Sequence, residues 1–472
     1  MLDEWKGTYK RKLCFHTLEK RNFMENSTGL KSSLKTRHIV MLSLGGAIGS
    51  GLFLGSGKVI AQAGPSVLLS YILAGLTLYV VMYGVGKMVI HQDEHKAGMA
   101  GVVAPFIGDH WAHFADWVYW ATWMAVLIAE EAGVSTFLAM LIPGVPLWVF
   151  ALIVAVLGTA INLWSVRAFA ETEYWLAFIK VAVILILIAL GIYLLVINDA
   201  HLGFVADTAQ KVSTKSTAPS FAPNGFSGFL TSLLVVIFSF GGSELAAITV
   251  AETENPKVAI PRAIRGVLIR IISFYVIPIF LFLHLLPWSE VSNPDAASPF
   301  ATIFARVGIP HTDKIVLVII VIAIFSAVNS AIYATSRSLY SRIQGSNSYV
   351  GQRLGKLSKN QVPTNAILVS SFVLFIGVLL SAILGDGFWQ FVAGSISFTI
   401  SIVWILLLVA ALVLYFKHKE VTNWFVKLAT LVVLIALTII FIMQIVTNPW
   451  TLSVFALVIC LLSYFTYRKK KA

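Results

Sequence analysis

The stretch Arg37–Gly57, RHIVMLSLGGAIGSGLFLGSG, is apolar enough to lie in a bilayer, yet it is interrupted by glycine where a helix should be strongest. Each glycine inside a helix costs about 1 kcal/mol relative to alanine, so the cluster Gly45-Gly46-Ala47-Ile48-Gly49-Ser50-Gly51 reads as a break. Within a membrane, backbone groups freed by a break must find other partners. A bound ligand is one such partner, and the remainder of the chain is read for a protein in which it makes sense.

Of the 472 residues, 58% are hydrophobic and 12% charged. Mean hydropathy is +0.86. These values describe a polytopic membrane protein, since soluble domains carry about 25% charged residues. Apolar segments long enough to span a bilayer fall near 38–63, 66–90, 112–141, 146–166, 170–197, 226–251, 264–287, 314–341, 364–385, 388–415, 422–446 and 450–467, which predicts an all-α protein of twelve transmembrane helices. The net charge of +12 has two readings, a nucleic-acid partner or the cytoplasmic side of a membrane.

Placement of the basic residues favours the membrane. The tail before residue 38 holds Lys6, Lys10, Arg11, Lys12, Lys20, Arg21, Lys31, Lys35 and Arg37 and is expected inside. With alternating spans, Lys87, Lys96, Arg167, Lys257, Arg262, Arg265, Arg342, Arg353, Lys417, Lys419 and the terminal Arg468-Lys469-Lys470-Lys471 also fall inside. The opposite loops carry mainly Lys211, Lys215, Arg306 and Lys314, so both termini are read as cytoplasmic, in the plasma (inner) membrane. No apolar segment precedes residue 38, so the first span is expected to direct insertion and no cleavable signal peptide is expected, while Met24 is an alternative start. The sequon at Asn26 lies on the expected cytoplasmic side and is read as chance; Cys14 and Cys460 suggest no disulfide framework.

A second glycine break lies in the sixth span, where FSFGGSELAAITVAETENP (238–256) again sets paired glycines among apolar residues. Breaks in the first and sixth spans are the arrangement expected of two five-span repeats of inverted topology with a site between them near the midplane. Small residues at helix contacts are the competing explanation for either break alone. The expected organisation is a cytoplasmic tail (1–37), a first repeat (38–197), an extracytoplasmic loop (198–224), a second repeat (225–415), two further spans (416–467) and a cytoplasmic tail (468–472).

The strings GGAIGSGLFLGSG (45–57), AGPSVLLSY (63–71), FSFGGSEL (238–245), AETENP (251–256) with IPRAI (260–264), and NSAIYATSRSLY (329–340) resemble those of the amino acid transporter family within the amino acid-polyamine-organocation superfamily, as in bacterial amino acid permeases. INLWSVRAFAETEYWLAFIKV (161–181) is similar to the family's pattern across the fourth and fifth spans, and the resemblance runs from about Lys35 to Lys470. It implies the five-plus-five inverted repeat with two extra spans, and secondary active transport of an α-amino acid, usually driven by protons.

The resemblance places the substrate at the two breaks: Ala47, Ile48, Gly49, Ser50 and Gly51 in the first, and Phe238, Phe240, Gly241, Gly242 and Ser243 in the second. Backbone amides at Ser50 and Gly51, beside a half-helix N-terminus, suit a carboxylate. Carbonyls of Ala47, Phe238 and Gly241 are the implied acceptors for the amine. The side-chain pocket is expected to draw on Phe238, Phe240, Ser243 and parts of the third, eighth and tenth spans. Ser50 has an alternative as a hydroxyl bonded back to its own helix.

Ionisable residues at membrane depth are functional candidates. Lys180 precedes the apolar run VAVILILIALGIYLLV (181–196), and the resemblance makes it the proton-coupling candidate; snorkelling to the cytoplasmic surface is the alternative. Glu244 follows the second break, as a link to the cytoplasmic pathway or as a helix cap. Glu130 matches the family's third-span glutamate, whereas Glu131 departs from its pattern. Adjacent helical residues point about 100° apart, so the two acids cannot serve one site equally; together they are also a reason to consider a cationic substrate. Glu171, Glu173, Glu252, Glu254, Arg262, Arg265 and Arg337 read as ion pairs at cytoplasmic ends, mostly a solvated rim. Asn329 and Ser330 are either near the coupling site or bonds between helices. The loop His91-Gln92-Asp93-Glu94-His95 departs from the family and is read as polar and exposed, in preference to a metal site.

No nucleophile-base set, nucleotide loop or metal motif appears, so neither an enzyme nor a cofactor is expected. The reading is an amino acid importer working by proton symport, with the amino acid, protons and the lipid bilayer as partners and no nucleic acid. An exchanger and a non-transporting amino acid sensor are the alternatives.

Overall fold

The computed structural model describes residues 48–92, 98–164, 166–197, 221–242, 266, 269–286, 291, 298–305, 311–343, 349–358, 362–385, 388–447, 459, 460, 463, 464 and 466. Ala47, Ser243, Glu244 and the stretch 93–97 lie outside them. Among the described residues every regular element is helical. Long runs of Leu, Ile, Val and Ala take this form because a helix satisfies its own backbone groups where lipid offers no partner.

The chain enters α1 (Ser50–Phe53), passes through Leu54 into α2 (Gly55–Ala63) and turns at Gly64-Pro65-Ser66 into α3 (Val67–His91). There follow α4 (Gly98–Leu141), α5 (Leu147–Trp164), α6 (Val166–Ile197) and α7 (Gly225–Phe240). A π turn at Ile272–Val276 leads into α8 (Ile277–Leu285), and α9 (Pro299–Ala305) precedes α10 (Thr312–Ile343). The described chain closes with α11 (Tyr349–Leu354), α12 (Thr364–Leu384), α13 (Phe388–Lys417) and α14 (Trp424–Thr447). Within α4 the axis is broken at Gly108 (φ 82°, ψ 164°).

Eight helices among the described residues are long and apolar enough to cross a membrane, and two shorter apolar helices lie at Gly225–Phe240 and Ile269–Leu285. Burial separates an inner set from a rim. The apolar stretches of α13, α10 and α4 are 72%, 67% and 61% buried, against 17% in α14. On α14, Val432, Ile435, Ile439 and Ile442 face outward, as do Phe372, Leu379 and Ile383 on α12. Such a belt of exposed large apolar side chains is what lipid covers. The inner helix α4 packs along both α10 and α13, and α1 contacts α4 and α7. The first break therefore sits at the centre of the bundle.

Candidate functional site

At Gly49 the backbone is extended (φ −141°, ψ −156°) and helix begins at Ser50, as the glycine cluster predicts. No side chain of Gly49 caps the new helix, but its carbonyl accepts from the N–H groups of Leu52 and Phe53 at 3.2 and 3.3 Å. The Ser50 N–H points out of the helix start and donates to Glu130 Oε2 at 2.7 Å. Ser50 is fully buried and Glu130 is 4% exposed. A carboxylate thus stands on the amide that the family resemblance implies for a substrate carboxylate. Trp389 Nε1 donates to Ser50 Oγ at 3.0 Å, so both polar groups of this serine are engaged by side chains from other helices.

Close approach explains two of the glycines. A Cβ at Gly133 would lie 2.6 Å from Ser50 Cβ, and one at Gly51 would lie 2.8 Å from the Cα of Ser239. Only a residue without a side chain lets α4 and α7 close on the break. At Gly49 an added Cβ would meet the Glu130 carboxyl itself.

The second break is visible up to Gly242. Helix α7 ends at Phe240, Gly241 leaves it (φ −55°, ψ 144°) and Gly242 has φ 91°. Gly241 N–H donates to the Phe238 carbonyl at 3.0 Å, occupying one lone pair of an oxygen that the family resemblance implies for the amine. Phe238 sets its ring edge-on to Trp389 at 5.9 Å between centroids. Phe240 instead packs with Tyr275 at 4.9 Å and Tyr71 at 6.0 Å. The Tyr275 hydroxyl donates to the Ser239 carbonyl at 2.9 Å, tying the helix end to the π turn.

Lys180 is fully buried, with Glu173 and Glu130 the charges that act on its ammonium. Glu130 is thus bonded to the broken helix and within electrostatic reach of the lysine. Snorkelling to the surface is excluded by that burial. The rim reading of Glu173 is corrected: it is fully buried, and its carboxyl accepts from Ser326 Oγ at 2.6 Å and from Asn329 Nδ2 at 3.5 Å. Asn329 Oδ1 accepts in turn from Asn162 Nδ2 at 2.7 Å, so this polar chain joins α5, α6 and α10. Glu173 and Lys180 are seven residues apart, two helical turns on one face, a spacing that the sequence reading passed over. Trp389 and Asn162 carry no comparable local signal.

Glu131 points away from all of this. It is fully buried, a Cβ on Gly377 of α12 would meet its Oε2, and neither carboxyl oxygen has a hydrogen-bond partner among the described residues. Of the loop acids and histidines, His91 packs its ring 4.3 Å from that of His418, and no group of three or more metal-ligating side chains occurs among the described residues.

Residues 38–469 match the family described as "Amino acid permease". The chain is 96% identical, over 95% of its length and 98% of the relative's, to the aromatic amino acid permease FywP of Lactococcus lactis subsp. cremoris (strain MG1363). It is 38% identical to the uncharacterized amino acid permease YvbW of Bacillus subtilis (strain 168), over 92% of this chain and 97% of that one. With the aromatic amino acid transport protein AroP of Escherichia coli (strain K12) it shares 36% identity over 75% of each chain. The chain belongs to the amino acid permease family, within the amino acid-polyamine-organocation superfamily, and is a multi-pass membrane transporter and not an enzyme.

Proposed function

We propose that this chain imports an aromatic α-amino acid by proton symport, with alternating access around the two broken helices. The observation that carries the reading is the Glu130 carboxylate seated on the Ser50 N–H, beside Lys180. It supports the reading of the break as a site for a carboxylate. The aromatic preference rests on the names of the relatives FywP and AroP.

In this reading the substrate carboxylate takes the Ser50 and Gly51 amides, displacing Glu130. Carbonyls of Ala47, Phe238 and Gly241 receive the amine, and Ile48, Gly49, Phe240, Gly242 and Ser243 complete the surroundings. Two carboxylates side by side repel one another, and a proton on Glu130 removes the repulsion. Substrate and proton then favour each other's binding, which is the thermodynamic content of symport. Lys180 pairs with Glu130 while that carboxylate is charged, and Glu173 keeps a countercharge for Lys180 when Glu130 takes the proton. Glu244 continues the path toward the cytoplasm.

The architecture we infer has twelve spans: an inverted pair of five-span repeats (38–197 and 225–415) flanking the loop 198–224, then two spans at 416–467. Both tails, 1–37 and 468–472, face the cytoplasm. Glycine breaks in the first and sixth spans and the distribution of basic residues support this.

Reconstituted protein is expected to take up L-phenylalanine or L-tyrosine when the outside is acidified, and Lys180→Ala is expected to lose the response. Uptake that follows a sodium gradient and ignores pH contradicts symport. Counterflow that persists without any gradient identifies an exchanger, and binding without flux a sensor.

A further inference from the structure

We propose that Trp389 is a gate over the first break on the side toward Lys58, and that it sets the preference of the site for large flat side chains. The proposal rests on the reading of Ser50 as part of the substrate site.

The second residue of α13 is an unexpected place for a buried tryptophan, yet Trp389 is only 3% exposed. Its indole has partners on both α7 and the first broken helix. The ring N–H donates to Ser50 Oγ at 3.0 Å. Lys58 Nζ lies 4.9 Å from the ring centroid, eight residues beyond Ser50, in a cation–π contact. Phe238, from the end of α7, meets the ring edge-on. Gly55 lies against the six-membered ring, where a Cβ would sit 3.4 Å from Cη2, about van der Waals contact. The indole thus fills the space between the two breaks, with a lysine over it.

One serine therefore holds two groups of the protein's own, a carboxylate on its N–H and an indole on its hydroxyl. A carboxylate and a flat ring are what an aromatic amino acid carries in one molecule. Such a ligand replaces both partners: its carboxylate takes the Ser50 N–H, and its ring takes over the indole's face contacts with Phe238 and Lys58, although a phenyl ring does not replace the N–H bond to Ser50 Oγ. An aliphatic amino acid replaces only the carboxylate; displacing the indole would leave Phe238, Gly55 and Lys58 facing a smaller side chain that does not fill the gap. The closed indole is a threshold that aromatic side chains clear and aliphatic ones do not. Lys58 sets its height by holding the ring shut.

The test uses the full-length chain with Cys14 and Cys460 replaced by serine and Ser50→Cys as a reporter, treated in oriented vesicles with a membrane-impermeant thiol reagent. With Trp389 in place, modification is expected to be slow. Trp389→Ala should speed it at least about tenfold, and Lys58→Gln about fivefold, the equivalent of one cation–π contact. A rate unchanged by Trp389→Ala overturns the gate, whatever the substrate is. A second arm keeps Ser50 and measures inhibition of L-phenylalanine uptake by L-leucine. Trp389→Ala should lower the preference for phenylalanine over leucine about tenfold, and Trp389→Phe should retain most of it. A preserved preference in Trp389→Ala overturns the selectivity claim. Failure of the unsubstituted protein to take up either amino acid counts against the substrate reading instead, and the modification rates still decide the gate.

Discussion

Glu130 and Glu131 are neighbours on α4, both buried and both at the level of the first break, yet their surroundings have nothing in common. Glu130 receives a hydrogen bond from the Ser50 amide and acts on Lys180. Glu131 faces the glycine of a peripheral helix, with neither oxygen bonded among the described residues. The 100° between successive helical positions is enough to send one acid into the polar centre and the other into an apolar seam. A buried acid is thus no functional site by itself. Partners make it one, and they come from helices far away in the chain.

The contrast can be broken most severely at the carboxyls. Glu130→Gln removes the charge shared by Ser50 and Lys180 and is expected to lower proton-driven uptake by at least about tenfold, the loss of one charge-assisted hydrogen bond. Glu131→Gln puts an uncharged group of the same shape where no charge is partnered, and uptake in reconstituted vesicles should stay within about twofold of the parent. Equal losses in both variants would erase the distinction.

The glycines sharpen it next. Gly133→Val pushes a branched side chain onto Ser50 Cβ, an atom fixed to the backbone of the break, and should cost about 3 kcal/mol by overpacking. Gly377→Ala meets only the far end of the Glu131 side chain and should cost about 1 kcal/mol. Thermal unfolding of the detergent-purified protein measures both. Adding Glu131→Asp to Gly377→Ala should recover most of the smaller loss, since contacting residues couple. An effect of the same size, about 1 kcal/mol, is expected at Asn162→Ala, which removes the Asn162 amide's bonds to the Gly158 carbonyl and to Asn329 but leaves Asn329 and Ser326 on Glu173.

These comparisons also show how much was legible beforehand. The break at Gly49 and the end of α7 at Phe240 could be read because glycine in an apolar run is a local contradiction. Lys180 and Glu130 could be read because a charge in such a run is another. Trp389 was hidden because its partner Ser50 lies 339 positions away and tryptophan is ordinary in a membrane helix. Glu173 sits near the start of α6, where an acid passes for a solvated end; only the packing of α10 and α5 puts it inside. Ala47, Ser243 and Glu244 lie outside the described residues, so that part of the reading stands on the sequence.

The central claim is that the Ser50 amide, held by Glu130 when empty, receives the substrate's carboxylate. Thermal stabilisation of the purified protein by L-phenylalanine and by its carboxamide tests this most directly, since a ligand at a hundred times its Kd adds about 2.7 kcal/mol to apparent stability. The account predicts a clear upward shift with the acid and almost none with the amide. An equal shift with both would contradict it.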